Sequence, residues 1–332
     1  MNLKKILRYI FALAVVIAAG YFFYLQFRKN ADALSAFHFS VNLYYIFISF
    51  VLVSLALLSG PLVWRIYVNY YLQKKLSISE GFALYCTSTM FKYVPGKIWT
   101  YAAQIALMSS KGISNALLIY INLSCFICLA FVSAAYVLYY YLFYLRIVTL
   151  EISVLIFVLF FVLDFVCIIW NNSIINYLII PINRLFKIEI QPIKTKKTIF
   201  IYIQIFYLFA YFLLGIAMYF LAKGLNMEIP FDNIFAIMAT ISVSAIAGYL
   251  AFFSMGGLGV REGAMFFMLK QFSNIEIALI IPIAARLLII IVELFMAIIA
   301  IIIGVKYDYF SDLTKSQQKE IIGEKAKLDA NL

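Results

Sequence analysis

Seven ionisable residues stand inside long apolar stretches of this 332-residue sequence: Lys92, Lys97, Asp164, Arg261, Glu262, Arg286 and Glu293. A charge at membrane depth is costly, so such a side chain turns towards a protein interior or a watery cavity. The planar fork of arginine suits bidentate binding of a phosphate, while lysine supplies a point charge. Lys97, Arg261 and Arg286 are therefore the candidates to handle an anionic phosphate. Glu262, Glu293 and Asp164 are the candidates to position them. Arg286 and Glu293 are seven residues apart on one helix and share a face about two turns from each other. Each is expected to meet a residue of another segment, and Arg286 is expected to meet Glu262. Asp164 has no charged neighbour in its own span, so its partner must come from elsewhere. The competing reading of the same residues is an ion-pair network that only holds segments in place.

The elements that must position these groups follow from composition. Residues of the hydrophobic set make up 66% of the chain and charged residues 12%. A soluble domain carries about 45–50% apolar and about 25% charged residues, so a water-facing globule is excluded. The expectation is an all-α, polytopic integral membrane protein. The formal charge of +11 fits cytoplasmic loops rich in Lys and Arg better than nucleic-acid binding. Cys86, Cys125, Cys128 and Cys167 all fall in apolar runs, with His38 the single histidine and distant from them. A zinc or redox site needs more ligands or an exposed thiolate, so these cysteines read as small buried hydrophobes.

Uninterrupted spans are expected at 9–27, 41–64, 116–144, 152–170, 199–222 and 277–303, the first an uncleaved span behind Lys4, Lys5 and Arg8. Two more apolar stretches, 81–110 and 233–271, are each broken near the middle. Pro95-Gly96 interrupts the first, and Gly256, Gly257 and Gly259 interrupt the second. Proline removes a backbone donor and glycine weakens a helix. If each broken stretch returns to its starting side as a re-entrant hairpin, both termini are cytoplasmic. Inside segments then carry 17 cations: three before the first span, Arg65, Lys74, Lys75, Lys111, five between Arg184 and Lys197, and five from Lys306 onwards. Outside segments carry five: Arg28, Lys29, Arg146, Lys223 and Lys270. That asymmetry is the positive-inside tendency. The hairpins enter from opposite faces, and paired interrupted segments in two halves of a chain mark inverted-repeat transporters. One transmembrane domain, 1–305, followed by a short polar cytoplasmic tail, 306–332, is the expected organisation.

At the two breaks the residues resemble a known family. Phe91-Lys92-Tyr93-Val94-Pro95-Gly96-Lys97-Ile98-Trp99, followed by Lys111-Gly112-Ile113-Ser114, is similar to its first signature. Gly256-Gly257-Leu258-Gly259-Val260-Arg261-Glu262-Gly263, with Ala278 and Arg286, is similar to its second. The family is that of the lysylphosphatidylglycerol synthase transmembrane region, the flippase-like domain, and the resemblance spans about residues 5–305. It implies movement of an amphiphilic lipid between leaflets. The sequence departs from the pattern at Gln104, where the family's arginine is expected. With 26 residues after Lys306, the soluble aminoacyl-transferase activity of some relatives is not expected.

The function expected is a lipid translocase of the cytoplasmic membrane, acting on an anionic phospholipid or a lipid-linked glycan, with no catalytic, metal or cofactor site. Partners under that reading are the membrane lipid and, beyond it, a second copy of the chain or a membrane protein of glycan synthesis. Gly257, Gly259 and Gly263 are not a G-x-G-x-x-G motif and follow no strand, so they do not mark a nucleotide site. The rivals are an integral-membrane enzyme of lipid-linked glycan synthesis, an accessory subunit of one, and a small-solute transporter. The outer loops are short, and Asp32, Glu151, Glu228 and Asp232 form no paired motif. The many tyrosines, Tyr139-Tyr140-Tyr141 included, are expected mostly as interfacial anchors.

Overall fold

A computed structural model describes residues 40–94, 98–108, 111–144, 149, 194–251 and 254–309, with isolated positions between 21 and 28 and between 152 and 180. The expected spans at 9–27 and 152–170, the Pro95-Gly96-Lys97 break, Asp164, Cys167 and the tail beyond Tyr309 lie outside these residues or nearly so. Every regular element among the described residues is helical. In chain order they are α1 (Leu43–Leu57), α2 (Ser59–Tyr71), α3 (Ile78–Thr89), a 3-10 turn (Met90–Tyr93), α4 (Ile98–Met108) and α5 (Asn115–Tyr144). Then come α6 (Lys197–Gly224), α7 (Ile234–Leu250), a 3-10 turn (Met255–Gly257), α8 (Val260–Leu269) and α9 (Ile275–Lys306). Five stretches are long and apolar enough to cross a membrane: Leu43–Tyr71, Asn115–Tyr141, Lys197–Gly224, Phe231–Leu250 and Ile275–Lys306.

Helix starts follow local chemistry. Asn42, Ser77 and Asn274 cap α1, α3 and α9, each accepting from a backbone N–H of the first turn. The α1–α2 junction at Leu58 reflects Pro61, which has no N–H for the Leu57 carbonyl. The helix nevertheless runs on past the expected end at 64. Arg65, expected in a loop, sits in α2 with its Nε donating to the Leu76 carbonyl at 2.9 Å.

The α1–α6 seam shows how helices approach without a hydrophobic drive between them in lipid. The Asn42 N–H donates to the Gly224 carbonyl (2.8 Å), and Ser49 Oγ donates to the Ala217 carbonyl (2.7 Å). Ala56 packs with Ala210. Each step is seven residues forward on α1 and seven back on α6, so the pair is antiparallel, with small residues where the backbones close.

Two apolar cores flank the site. The larger joins α6, α7, α8 and α9 through Ile237, Met238, Phe266 and Ile281, and the second gathers Trp64, Tyr67, Leu118, Tyr120 and Phe200. In the second, Tyr67 Oη donates to Ser124 Oγ at 3.0 Å and lies 3.2 Å from Thr195 Oγ1, which also meets Tyr71 Oη at 2.5 Å. Tyr67→Phe should cost about 1–2 kcal/mol by removing this shared hydroxyl, read as a lower unfolding temperature in detergent. Tyr139 and Tyr140 are also buried, and Tyr140 Oη donates to Gln271 Oε1 at 3.1 Å. Of that tyrosine triplet only Tyr141 stays exposed, so its neighbours are packing residues, not anchors. Cys86, Cys125 and Cys128 form no disulfide among the described residues and sit in or against the apolar cores.

Candidate functional site

The two interrupted segments meet. The Met90–Tyr93 turn packs against the Met255–Gly257 turn and against α9. The second break exists because three glycines hold the left-handed region: Gly256 (φ 57°), Gly257 (φ 78°) and Gly259 (φ 83°). L-residues reach that region only at a cost. Space is a second constraint at Gly256, where a Cβ would lie 3.0 Å from the Tyr93 ring and 3.1 Å from the Arg286 guanidinium.

Beside this junction lies a cavity of about 200 Å³, lined by α1–α3, α5–α9 and the first turn. Arg286, on α9 one turn beyond Pro282, is 5% exposed, and Glu262 on α8 is 6% exposed. Arg286 Nη2 donates to the Gly256 carbonyl at 2.7 Å, so α9 ties down the second break. Its Nε lies 3.3 Å from Glu262 Oε1. That contact is a charge pair without hydrogen-bond alignment: Arg286 Nε, Arg286 Nη1 and Glu262 Oε1 are buried with no hydrogen-bond partner among the described residues. The other carboxylate oxygen, Oε2, accepts the Gly259 N–H at 2.6 Å.

Two turns along α9, Glu293 forms a second pair. Its Oε1 is 2.5 Å from Lys92 Nζ, and its Oε2 accepts from the Tyr93 hydroxyl. The Tyr93 ring also lies under Arg286, with the guanidinium carbon 5.8 Å from its centroid. Tyr93 therefore touches both pairs and joins the first broken segment to the second. Arg261 has no carboxylate partner among the described residues. Its guanidinium lies over the Tyr249 ring at 5.5 Å, and its Nε is buried without a hydrogen bond.

Gly248 makes room for that side chain. A Cβ there would lie 2.5 Å from Arg261 Cγ, and one at Gly257 would lie 2.9 Å from Arg261 Nε. The Ser244 hydroxyl donates to the Arg261 carbonyl at 3.1 Å. The stem of Arg261 thus lies across two glycine backbones.

The structure brings Arg261, Glu262, Arg286 and Glu293 together, with Arg286 against Glu262 as expected. Lys92, not counted in the phosphate set, supplies the partner of Glu293. Lys97, Asp164, Pro95 and Gly96 lie outside the described residues. The Gly259 N–H is not open to a ligand, because Glu262 folds back over the start of α8 and accepts from it. Gln104 is buried and its Oε1 accepts from Asn122 Nδ2 at 2.7 Å, a structural contact within the helix pair α4–α5. Sequence reasoning missed Tyr93, Tyr249 and Gly248. Tyrosine is too frequent here to stand out, and a glycine slot is visible only once α7 and α8 are packed. No family model matches the chain, and no curated protein matches it in sequence.

Proposed function

We propose that this protein is a lipid translocase that passes an anionic headgroup, of a phospholipid or a lipid-linked glycan, through the cavity between its two broken segments. The observation that carries the reading is the charge arrangement in that cavity. Two cations are paired, Lys92 with Glu293 and Arg286 with Glu262, and Arg261 has no carboxylate partner among the described residues, its Nε being buried. A half-buried cation without a counter-charge is partly stripped of water, and an incoming anion offsets that cost.

The reading places the chain in the cytoplasmic membrane with both termini inside, six full spans and two oppositely inserted hairpins. The five long apolar helices support a multi-pass arrangement. The second broken segment is asymmetric: Phe231–Leu250 is itself long enough to cross, whereas α8 has 10 residues. In this reading α7 spans nearly the whole depth and α8 returns part-way. The resemblance to the flippase-like family rests on two motifs, of whose described residues Lys92, Tyr93, Gly256, Arg261 and Glu262 come together beside the cavity.

The test is a proteoliposome assay following labelled lipids with anionic, zwitterionic and glycosyl headgroups. Wild-type protein should move an anionic lipid above the empty-liposome rate. Arg261→Gln should slow that movement about 10- to 100-fold, the value of a lost charge-assisted contact. No movement across the whole panel overturns the proposal.

A further inference from the structure

Three guanidinium nitrogens of residues lining the cavity have no hydrogen-bond partner among the described residues. Arg286 Nε and Nη1 belong to a side chain 5% exposed, and Arg261 Nε joins them from the next helix. Guanidinium nitrogens are donors only, so they need an oxygen-rich acceptor. Glu262 does not meet the need, because its Oε1 is itself unpaired by hydrogen bonds while Oε2 is fixed on the Gly259 N–H. An oxyanion bound in the cavity would supply such acceptors together with a counter-charge.

Charge then selects which oxyanion. The described groups lining the cavity are three cations, Lys92, Arg261 and Arg286, and two carboxylates, Glu262 and Glu293. Three minus two leaves one positive charge. A phosphodiester, with one negative charge, closes that balance. A diphosphate overshoots it by one or more, leaving uncompensated charge in a low-dielectric site. Volume agrees: about 200 Å³ is below the roughly 300–1,000 Å³ of pockets that enclose drug-sized ligands. It suits a headgroup whose chains remain in the bilayer.

We infer that the cavity is a binding site for a singly charged phosphodiester headgroup, held between Arg261 and Arg286, and that it discriminates against diphosphate-linked lipids. This rests on the translocase reading for its purpose but not for its test, which is binding in detergent without any transport. Three probes are titrated into the purified full chain by calorimetry: a short-chain phosphatidylglycerol, a short prenyl diphosphate and inorganic phosphate. The phosphatidylglycerol should bind about tenfold or more tighter than the diphosphate, a difference of one charge contact. Inorganic phosphate should bind more weakly than either lipid, which assigns the site to a headgroup and not to the free ion. Arg261→Gln should remove the preference. Glu262→Gln adds one net positive charge while keeping an acceptor for the Gly259 N–H, and should turn the preference towards the diphosphate. Tighter diphosphate binding by wild type, or unchanged selectivity in both variants, overturns the assignment. Selective binding without lipid movement in proteoliposomes would leave this site standing and remove the translocase reading.

Discussion

Arg286→Ala should destabilise the protein more than any other single truncation in the cavity, by about 3–5 kcal/mol, because it breaks a buried ion pair from one side. Three groups lose a partner at once. Glu262 keeps a buried charge balanced only by the Gly259 N–H, and the Gly256 carbonyl loses its 2.7 Å donor. The Tyr93 ring loses one of its two cation contacts and keeps Lys92. Total stabilities are only about 5–15 kcal/mol, so a loss of this size is a large share. The measurement is the unfolding temperature in detergent, paired with the fraction recovered as monodisperse protein. Arg286→Lys separates charge from geometry. A lysine keeps the positive charge near Glu262 but has no fork to hold Gly256 and an oxyanion together. That variant should recover much of the stability and little of the anion binding. An Arg286→Ala protein that melts with wild type would show that Arg286 is not what ties α9 to the second break.

How much of this was legible beforehand divides by the kind of signal. The long helices were readable because an apolar run of about 20 residues has one outcome in lipid: 116–144 became Asn115–Tyr144, and 277–303 became Ile275–Lys306. The pairing of Arg286 with Glu262 was readable because few charges were present to choose between, and each buried one needs a partner. Arg65 departs from the rule that a charge ends a span. A part-buried arginine near a helix end instead finds a carbonyl, here that of Leu76. The closing of the Gly259 N–H is legible only in the folded chain, where a glutamate three residues on folds back and occupies it. Tyr93 stands in the first motif without a readable role and Gly248 carried no sequence signal, since their roles arise only from elements that meet in three dimensions.

The two arginines divide the work of the cavity by how firmly each is held. Arg286 is fixed by a carbonyl, a carboxylate and an aromatic face, so it belongs to the frame as much as to the site. Arg261 has an aromatic face and a slot of glycine backbone but no counter-charge among the described residues. A side chain with that arrangement can change partners when an anion arrives, without dismantling the junction of the two breaks. Substitutions at Arg261 should therefore affect ligand binding first and folding second, the reverse of those at Arg286.

Gly248 allows that division to be tested without touching either arginine. It lies on α7 in ordinary helical backbone, away from the positive-φ glycines, so alanine there is favoured by intrinsic helix propensity, by about 1 kcal/mol. The added methyl, however, would meet the Arg261 stem within van der Waals distance, 2.5 Å from Cγ and 2.8 Å from Cδ. The side chain must leave its slot. Gly248→Ala should therefore leave the unfolding temperature near that of wild type while weakening anion binding and lipid movement about tenfold or more, the loss of one charge-assisted contact. Gly248→Leu should exaggerate the binding defect and begin to loosen the α7–α8 packing. Pairing Gly248→Ala with Arg261→Gln provides the check, since a glycine that acts only through Arg261 has nothing further to disturb once the guanidinium is gone. If the double variant binds no worse than Arg261→Gln alone, the glycine acts through Arg261. If Gly248→Ala binds and moves lipid as wild type does, the slot has no functional consequence and Arg261 reaches its anion from another position.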